Sequence, residues 1–307
     1  MRRLLLISNS NASTVTRRVR EVITKALSAD FDLRVANTKR GGHATYVARG
    51  AVHEGVDLVV ALGGDGTVNE VANGLAGTDV PLGILPGGGT NVFARTLGIP
   101  RDVIEATTLL LQNGTSGAEP RTVPLGRADG RYFAFTCGLG VDGAIVRQVE
   151  RRQRLKKAVG EWYFVWSGLR TYFTGFDRRR PTVRLSWGPD LEHRREGLYF
   201  AICQNSDPFT FLGDRPFRLC PQADLDGGLD LLSSDSMRVR TILPTVLRAF
   251  GSARHVGRRH LVYLHDERRI LVECSEPLPM QMDGEFLGDR TRVELDVVPG
   301  ALRVLTG

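Results

Sequence analysis

The chain predicts two domains of different class: a doubly wound α/β domain over residues 1–120, then a mainly antiparallel β-sandwich domain with helical inserts over residues 121–307. Three observations carry this. The first third alternates short apolar runs with segments of helical period. Two glycine-rich loops, Gly63-Gly64-Asp65-Gly66-Thr67 and Pro86-Gly87-Gly88-Gly89-Thr90-Asn91, each follow an apolar run and open a helix-forming stretch. Beyond residue 120, short alternating runs bounded by Gly, Asp and Pro replace that rhythm.

In order, Arg3 to Ser8 reads as the first strand. Val15, Val19, Val22, Ile23, Ala26 and Leu27 then fall on one helical face, with Ser13 or Thr14 available as cap. Phe31, Leu33 and Val35 alternate as a strand, and Ala44, Val47, Ala48, Ala51 and Val52 mark a helix ended by Gly55. Val56 to Leu62 (VDLVVAL) reads as a buried parallel strand. Helix 67–75, strand 82–85 and helices near 91–97 and 102–112 complete the series. The small, polar stretch from Asn113 to Pro120 reads as the linker. The second domain offers strands at Arg131–Cys137, Thr182–Trp187, Leu198–Gln204, Leu229–Ser233, Arg269–Cys274, Arg292–Val298 and Ala301–Leu305. Helical inserts fall near 142–174 and 238–253.

Composition sets limits. With 42% hydrophobic and 24% charged residues, the chain has the make-up of a water-soluble globular protein. No run approaches the roughly 18–20 apolar residues of a membrane span, and the N-terminal apolar run is too short for a signal peptide. Cys137, Cys203, Cys220 and Cys274 lack any metal or disulfide spacing, and the histidines show no metal-binding pair. A cytosolic location is expected. The net charge of +7 concentrates in Arg147–Lys157, Arg178–Arg180 and Arg254–His260. Nucleic acid, an anionic membrane face, a polyphosphate or plain solvent would each suit that charge; no nucleic-acid-binding motif accompanies it.

The glycine loops carry the chemistry. Backbone amides reach a phosphate only where side chains stand aside, and two such cradles side by side suggest a nucleotide polyphosphate across the carboxyl edge of a sheet. An ATP-using enzyme follows. Neither loop is a P-loop, because no Lys-Ser/Thr follows the glycines. Asp65 is an anion inside a phosphate loop. It would act through Mg²⁺, polarise an attacking hydroxyl, or serve as a helix N-cap. Asp283-Gly284 before Glu285 reads as a hairpin corner.

Together the strings GGDGTVNEVANGL (63–75) and PGGGTNVFARTLGIP (86–100) resemble the diacylglycerol kinase catalytic-domain family, which includes bacterial soluble lipid kinases and relatives of sphingosine and ceramide kinases. The first string is shared in shortened form with NAD kinases and, more remotely, phosphofructokinases; the second favours the lipid kinases. Thr38 with Gly42-His43-Ala44, then FTCGLGVD (135–142), ADLDGGLD (223–230) and Met282–Glu285 extend the likeness along the chain.

The resemblance implies that ATP is held by Asn9, Thr38, Gly63, Gly64, Asp65, Gly66, Thr67, Val68, Asn69, Gly88, Gly89, Thr90 and Asn91. It implies Glu285 as the general base on a lipid hydroxyl, and Mg²⁺ held by Asp226 with the carbonyls of Ala223 and Gly228. It further implies a lipid substrate at the inner membrane surface and peripheral membrane contact, and it is compatible with a homodimer. The crowded aromatics Trp162, Tyr163, Phe164, Trp166, Tyr172 and Phe173 would be either an interfacial surface or a core; Phe209–Leu212 would line an acyl cleft or cap the sandwich. Two departures stand out. Val92 and Pro124 occupy positions where relatives carry carboxylates of the acidic network around the metal. An NAD kinase and a non-catalytic nucleotide-binding regulator are the alternative functions.

Overall fold

The strand-like runs of the first third become a four-stranded parallel sheet. Strands β1 (Arg3–Asn9), β2 (Asp32–Thr38), β3 (Leu58–Gly63) and β4 (Leu82–Pro86) lie in the order β4-β3-β1-β2. The central pair is buried on both faces, Leu4–Ile7 against Leu58–Leu62, as parallel strands covered by helices must be. The computed structural model describes residues 1–9, 15–151, 168, 170, 171 and 180–306. It divides into two units, Met1–Leu125 joined by the stretch from Pro299 onward, and Gly126–Val298.

Helices α1 (Arg17–Asp30), α2 (His43–His53), α3 (Asp65–Leu75), α4 (Val92–Thr96) and α5 (Val103–Ser116) belong to the first unit. The α1 cap is Thr16, whose side chain accepts from Val19 N; Ser13 and Thr14, read as caps from sequence, lie outside the described residues. The stretch read as a linker is helical through Ser116. Asn113 Nδ2 donates to Thr306 O, and Gly114 lets Phe31 pack so close that a Cβ would stand 2.9 Å from its ring. Gly117, at φ 73°, ends the helix. The division therefore falls after Leu125 instead of 120, and the final residues return to the first unit, where Val304 pairs in parallel with Leu82.

The second unit is antiparallel throughout its described pairings. Strand β5 (Arg121–Ala128) enters it, followed by β6 (Arg131–Phe133), β7 (Thr136–Leu139), α6 (Val141–Arg151), β8 (Val183–Trp187), β9 (His193–Leu198) and β10 (Ala201–Gln204). Then come the small hairpin β11 (Thr210–Leu212) and β12 (Arg215–Phe217), β13 (Leu229–Ser234), α7 (Val239–Ala249), β14 (Leu261–Glu267), β15 (Arg269–Met282) and β16 (Glu285–Val304). Leu198–Gln204, expected as one strand, is two, because the chain changes partner: β9 pairs with β8, β10 with β7 and β13. Strand β15 is longer than expected and serves two neighbours, β8 along Ile270–Cys274 and β7 along Met280–Met282. Leu139, Leu185, Leu231, Val272, Val293 and Leu295 are core members here. Phe209 packs edge-on against Phe217 in a second cluster with Phe200 and Leu219, which favours the capping role for that hairpin. The aromatic run 162–166 and Tyr172 and Phe173 lie outside the described residues. Among the described residues no helix is long and apolar enough to cross a membrane.

Candidate functional site

In the first unit, strand order makes the site. The chain leaves β1 towards β2 on one side and returns to place β3 on the other, so the crevice beyond the carboxyl ends of β1 and β3 is a switch point of the kind where α/β sheets bind ligands. Register brings the sequence-selected residues to this edge. Asn9 lies opposite Thr38, Ser8 opposite Leu62, and Gly63 opposite Pro86.

The two glycine loops form one seam. Gly87 N donates to Gly63 O at 2.8 Å. A Cβ on Gly64 would stand 3.2 Å from Gly88 Cα, and one on Gly88 would stand 2.7 Å from Gly64 Cα, so backbone packs directly on backbone. Gly63 is needed for another reason: its Cβ would stand 2.7 Å from the Thr67 side chain. Asn91 adopts φ 49° and clips the second loop, accepting from Gly88 N at 2.9 Å and donating to Gly88 O at 2.8 Å. The Gly88 amide is thus engaged within the protein.

Gly66 and Gly89 differ from the others. Both are exposed, neither has a positive φ, and a Cβ on either would meet nothing within 4 Å. Gly66 stands inside the first turn of α3, where Gly costs about 0.8–1 kcal/mol relative to Ala. Neither packing nor conformation asks for glycine at these two positions. An open approach to the α3 N-terminal amides is what these two glycines leave.

Asp65 begins α3, with Gly64 as the cap residue, so it is not the N-cap. Its Oδ1 accepts from Phe93 N at 3.3 Å, linking α3 to α4. Val92 beside it is buried, as is Pro124 in β5. Asn9 Nδ2 donates to Thr67 Oγ1 at 3.3 Å. Val68 and Asn69 turn inward with Thr67, and Asn69 accepts from Asn73 through both its backbone and side-chain oxygens. Thr90 is half-buried on the second loop. Glu70 was not singled out from sequence: its carboxylate accepts from Ala44 N at 2.9 Å, and its carbonyl from Thr45 Oγ1 at 2.8 Å. It caps α2, whose own cap residue, Gly42, has no side chain to do so. His43 Nδ1 accepts from Lys39 N.

In the second unit, Asp283 and Gly284 form a two-residue hairpin with φ 46° and 82°, the primed turn that an Asp-Gly corner suits, and Met282 pairs with Glu285 across it. The Asp283 carboxylate is buried and accepts from three successive amides, Ala134 N at 2.6 Å, Phe135 N at 3.1 Å and Thr136 N at 3.0 Å. Glu285, half-exposed, is ion-paired through Oε2 to Arg131. Glu150 on α6 accepts from Phe286 N at 3.0 Å, and Arg147 lies over the Phe286 ring while pairing with Asp289. Helix α6 thereby clamps the strand that carries Glu285.

A second support is deeper. Gln281 donates to Asp142 Oδ2 at 2.6 Å and accepts from Gly284 N at 2.9 Å, joining α6 to the turn. Burial pushes the Asp142 carboxyl up to about 7, against the lowering effect of the Gln281 hydrogen bond. Gly138 makes room for this side chain, since a Cβ there would stand 1.9 Å from Asp142 Oδ2. The link between positions 142 and 281 leaves no local sequence signal.

The residues expected to hold a metal, Ala223, Asp226 and Gly228, lie on the loop before β13. Asp226 is exposed and its N donates to Asp224 Oδ1; Ala223 O accepts from Asp207 N, and Gly228 N donates to Asp266 Oδ1. One carboxylate and two carbonyls are hard oxygen donors of the kind Mg²⁺ takes, with water completing its shell. Among the described residues no three or more His, Cys, Asp or Glu side chains cluster as a metal site.

Comparison with known proteins agrees with these two halves. Residues 3–123 match the diacylglycerol kinase catalytic domain model, and residues 136–306 match the YegS C-terminal NAD kinase β-sandwich-like domain model. A Bacillus subtilis (strain 168) protein named diacylglycerol kinase is 30% identical over 295 residues, covering 94% of this chain and 91% of its own length. A Staphylococcus carnosus diacylglycerol kinase is 25% identical, covering 93% and 89%. A Bacillus anthracis strain Sterne structure superposes with a TM-score of 0.77 at 24% identity, over 99% of this chain and 95% of that one. The crystal structure of a diacylglycerol kinase from the same strain gives a TM-score of 0.69 at 22% identity, over 99% and 97%. These structures share the α/β plus β-sandwich fold.

Proposed function

This chain belongs to the diacylglycerol kinase catalytic-domain family, and from that premise we propose that it transfers the γ-phosphate of ATP, with Mg²⁺, to the hydroxyl of diacylglycerol, forming phosphatidic acid. The family sets the reaction class, phosphate transfer to a lipid alcohol. The donor, the metal and the acceptor are the added parts of the reading.

The nucleotide half rests on one observation. Gly66 and Gly89 keep their surroundings clear at the switch point of a parallel sheet, on two loops whose backbones touch. Phosphates laid there would meet the amides of the α3 N-terminus and the favourable end of its dipole. Gly63, Gly64 and Gly88 bring the loops together, Asn91 shapes the second, and Asn9 and Thr38 border the same edge. Thr67, Val68 and Asn69 act from behind, fixing α3 in the core.

In the second unit Glu285 accepts the proton of the acceptor hydroxyl as that oxygen attacks phosphorus, and the bond to the β-phosphate oxygen breaks, leaving ADP. Asp283 and Gln281 hold the turn, and Arg131 orients the carboxylate through its second oxygen. Mg²⁺, when held by Asp226 with the Ala223 and Gly228 carbonyls, would neutralise phosphate charge. Asp65, at the start of α3 on the first glycine loop, would orient the phosphates through a bound cation.

A non-catalytic regulator remains a second reading, favoured by the buried Val92 and Pro124 where relatives carry carboxylates. Both readings are tested by incubating the purified chain with labelled ATP, Mg²⁺ and diacylglycerol in mixed micelles, with NAD in a parallel reaction. Label in phosphatidic acid is the expected result. Label in NADP, or nucleotide binding without transfer to any lipid of a total extract, would overturn it.

A further inference from the structure

Helix α7 carries an apolar stripe on its solvent side. Its buried side presents Thr241, Thr245 and Ala249, with the Thr245 hydroxyl bonded back to Thr241 O. Ile242 packs on the core beside them, whereas Val239, Leu243 and Leu247, one turn apart, are 45%, 52% and 63% exposed. Burying leucines and exposing threonines is the ordinary pattern, so an outward stripe on successive turns needs a partner.

Charge says which. Between Asp235 and Asp266 there is no acidic residue, while Arg238, Arg240, Arg248, Arg254, Arg258 and Arg259 all lie on α7 or in the segments flanking it. None of these six has a carboxylate partner among the described residues. The loop is not loose: Ala253 N returns to Arg248 O, and His255 is buried with Nε2 on Leu219 O. An apolar stripe with unpaired arginines about it is complementary to the surface of an anionic bilayer, where leucines enter the acyl boundary and guanidinium groups meet phosphates.

We propose that α7 is a membrane-docking helix. It lies flat on an anionic lipid leaflet, inserting Val239, Leu243 and Leu247, and brings the second unit to the surface that holds its lipid substrate. The substrate clause rests on the lipid-kinase reading above; the docking itself does not.

The test is co-sedimentation of the full chain with vesicles of phosphatidylglycerol and phosphatidylcholine in equal parts, against phosphatidylcholine alone. The wild-type chain should bind the anionic vesicles at least about tenfold more tightly, and lose binding as salt rises. The double variant Leu243→Asp/Leu247→Asp should lose about tenfold or more in vesicle affinity. Both sites are exposed, and unchanged circular dichroism and melting would show that the fold is intact. If it is not, Arg240→Gln/Arg258→Gln/Arg259→Gln supplies the same comparison through charge alone. Transfer to a short-chain diacylglycerol in detergent micelles should persist in either variant while transfer in vesicles falls. Absence of transfer in both, with vesicle binding intact, would strike the kinase reading alone. Equal vesicle binding by wild type and variants would overturn the docking proposal. So would a wild-type dimer that the leucine variant dissociates without change in vesicle binding, since a second copy would then cover the stripe.

Discussion

Gly66→Ala separates a phosphate cradle from an ordinary helix start, because the two assign it effects of opposite sign. The position is exposed, in the first turn of α3, with a clear 4 Å around an added Cβ. For the isolated protein alanine is the better residue by about 0.8–1 kcal/mol, which corresponds to a rise in melting temperature of about 2–4 °C for a chain of this size. For a bound nucleotide the added methyl stands where a phosphate oxygen would approach the amides. Losing one charge-assisted hydrogen bond costs about 2 kcal/mol, or roughly thirtyfold in Kd. Calorimetric unfolding without ligand and ATP titration by isothermal calorimetry measure the two terms separately. Gly88→Ala is the control. Its Cβ would sit 2.7 Å from Gly64 Cα, backbone against backbone, so it should destabilise by about 1–3 kcal/mol even without nucleotide. A Gly66→Ala protein that is more stable and binds ATP as well as wild type would refute the cradle.

Further predictions concern the second unit and the α2 cap. Asp142 has its carboxyl raised to about 7, so the folded state holds a proton that the unfolded chain releases near the ordinary 3.9; stability is full below about pH 4 and declines as pH rises through about 7. Asp142→Asn should flatten that decline, by up to about 3 kcal/mol between pH 5 and 8 in denaturant titrations; an unchanged slope would remove Asp142 as its source. Asp283→Asn leaves one oxygen for three amides and should cost about 2–4 kcal/mol with a parallel loss of transfer, read by urea unfolding and lipid phosphorylation. Glu70→Ala uncaps α2 at Ala44 and should cost about 1 kcal/mol, detectable as faster amide exchange at residues 43–46.

What could be read from sequence was whatever is local. Asp283-Gly284 was legible as a turn because both residues tolerate positive φ, and the glycine loops because glycine clusters after apolar runs have few other causes. The parallel core was legible in the largely apolar run from Val56 to Leu62, which became the strand Leu58–Gly63. Long-range partners were not. Nothing near Asp283 announces that its carboxylate collects the amides of Ala134 to Thr136, and nothing near Asp142 points to Gln281. The stretch from Asn113 looked like a linker because Asn, Gly, Thr and Ser are poor helix formers; packing of Gly114 on Phe31 and the bond to Thr306 O override that propensity. Helix α7 was legible as a helix, but its spacing of Val239, Leu243 and Leu247 cannot say which side faces inward.

Glu285→Gln measures the chemical claim most directly. Glutamine keeps the size and the hydrogen-bonding reach of the side chain but cannot take a proton. Transfer of labelled phosphate from ATP to diacylglycerol should fall by about 10²–10⁴, while ATP affinity stays within about twofold of wild type. Comparable phosphatidic acid formation by the variant would contradict the account, because the proton would then leave the lipid hydroxyl by another route.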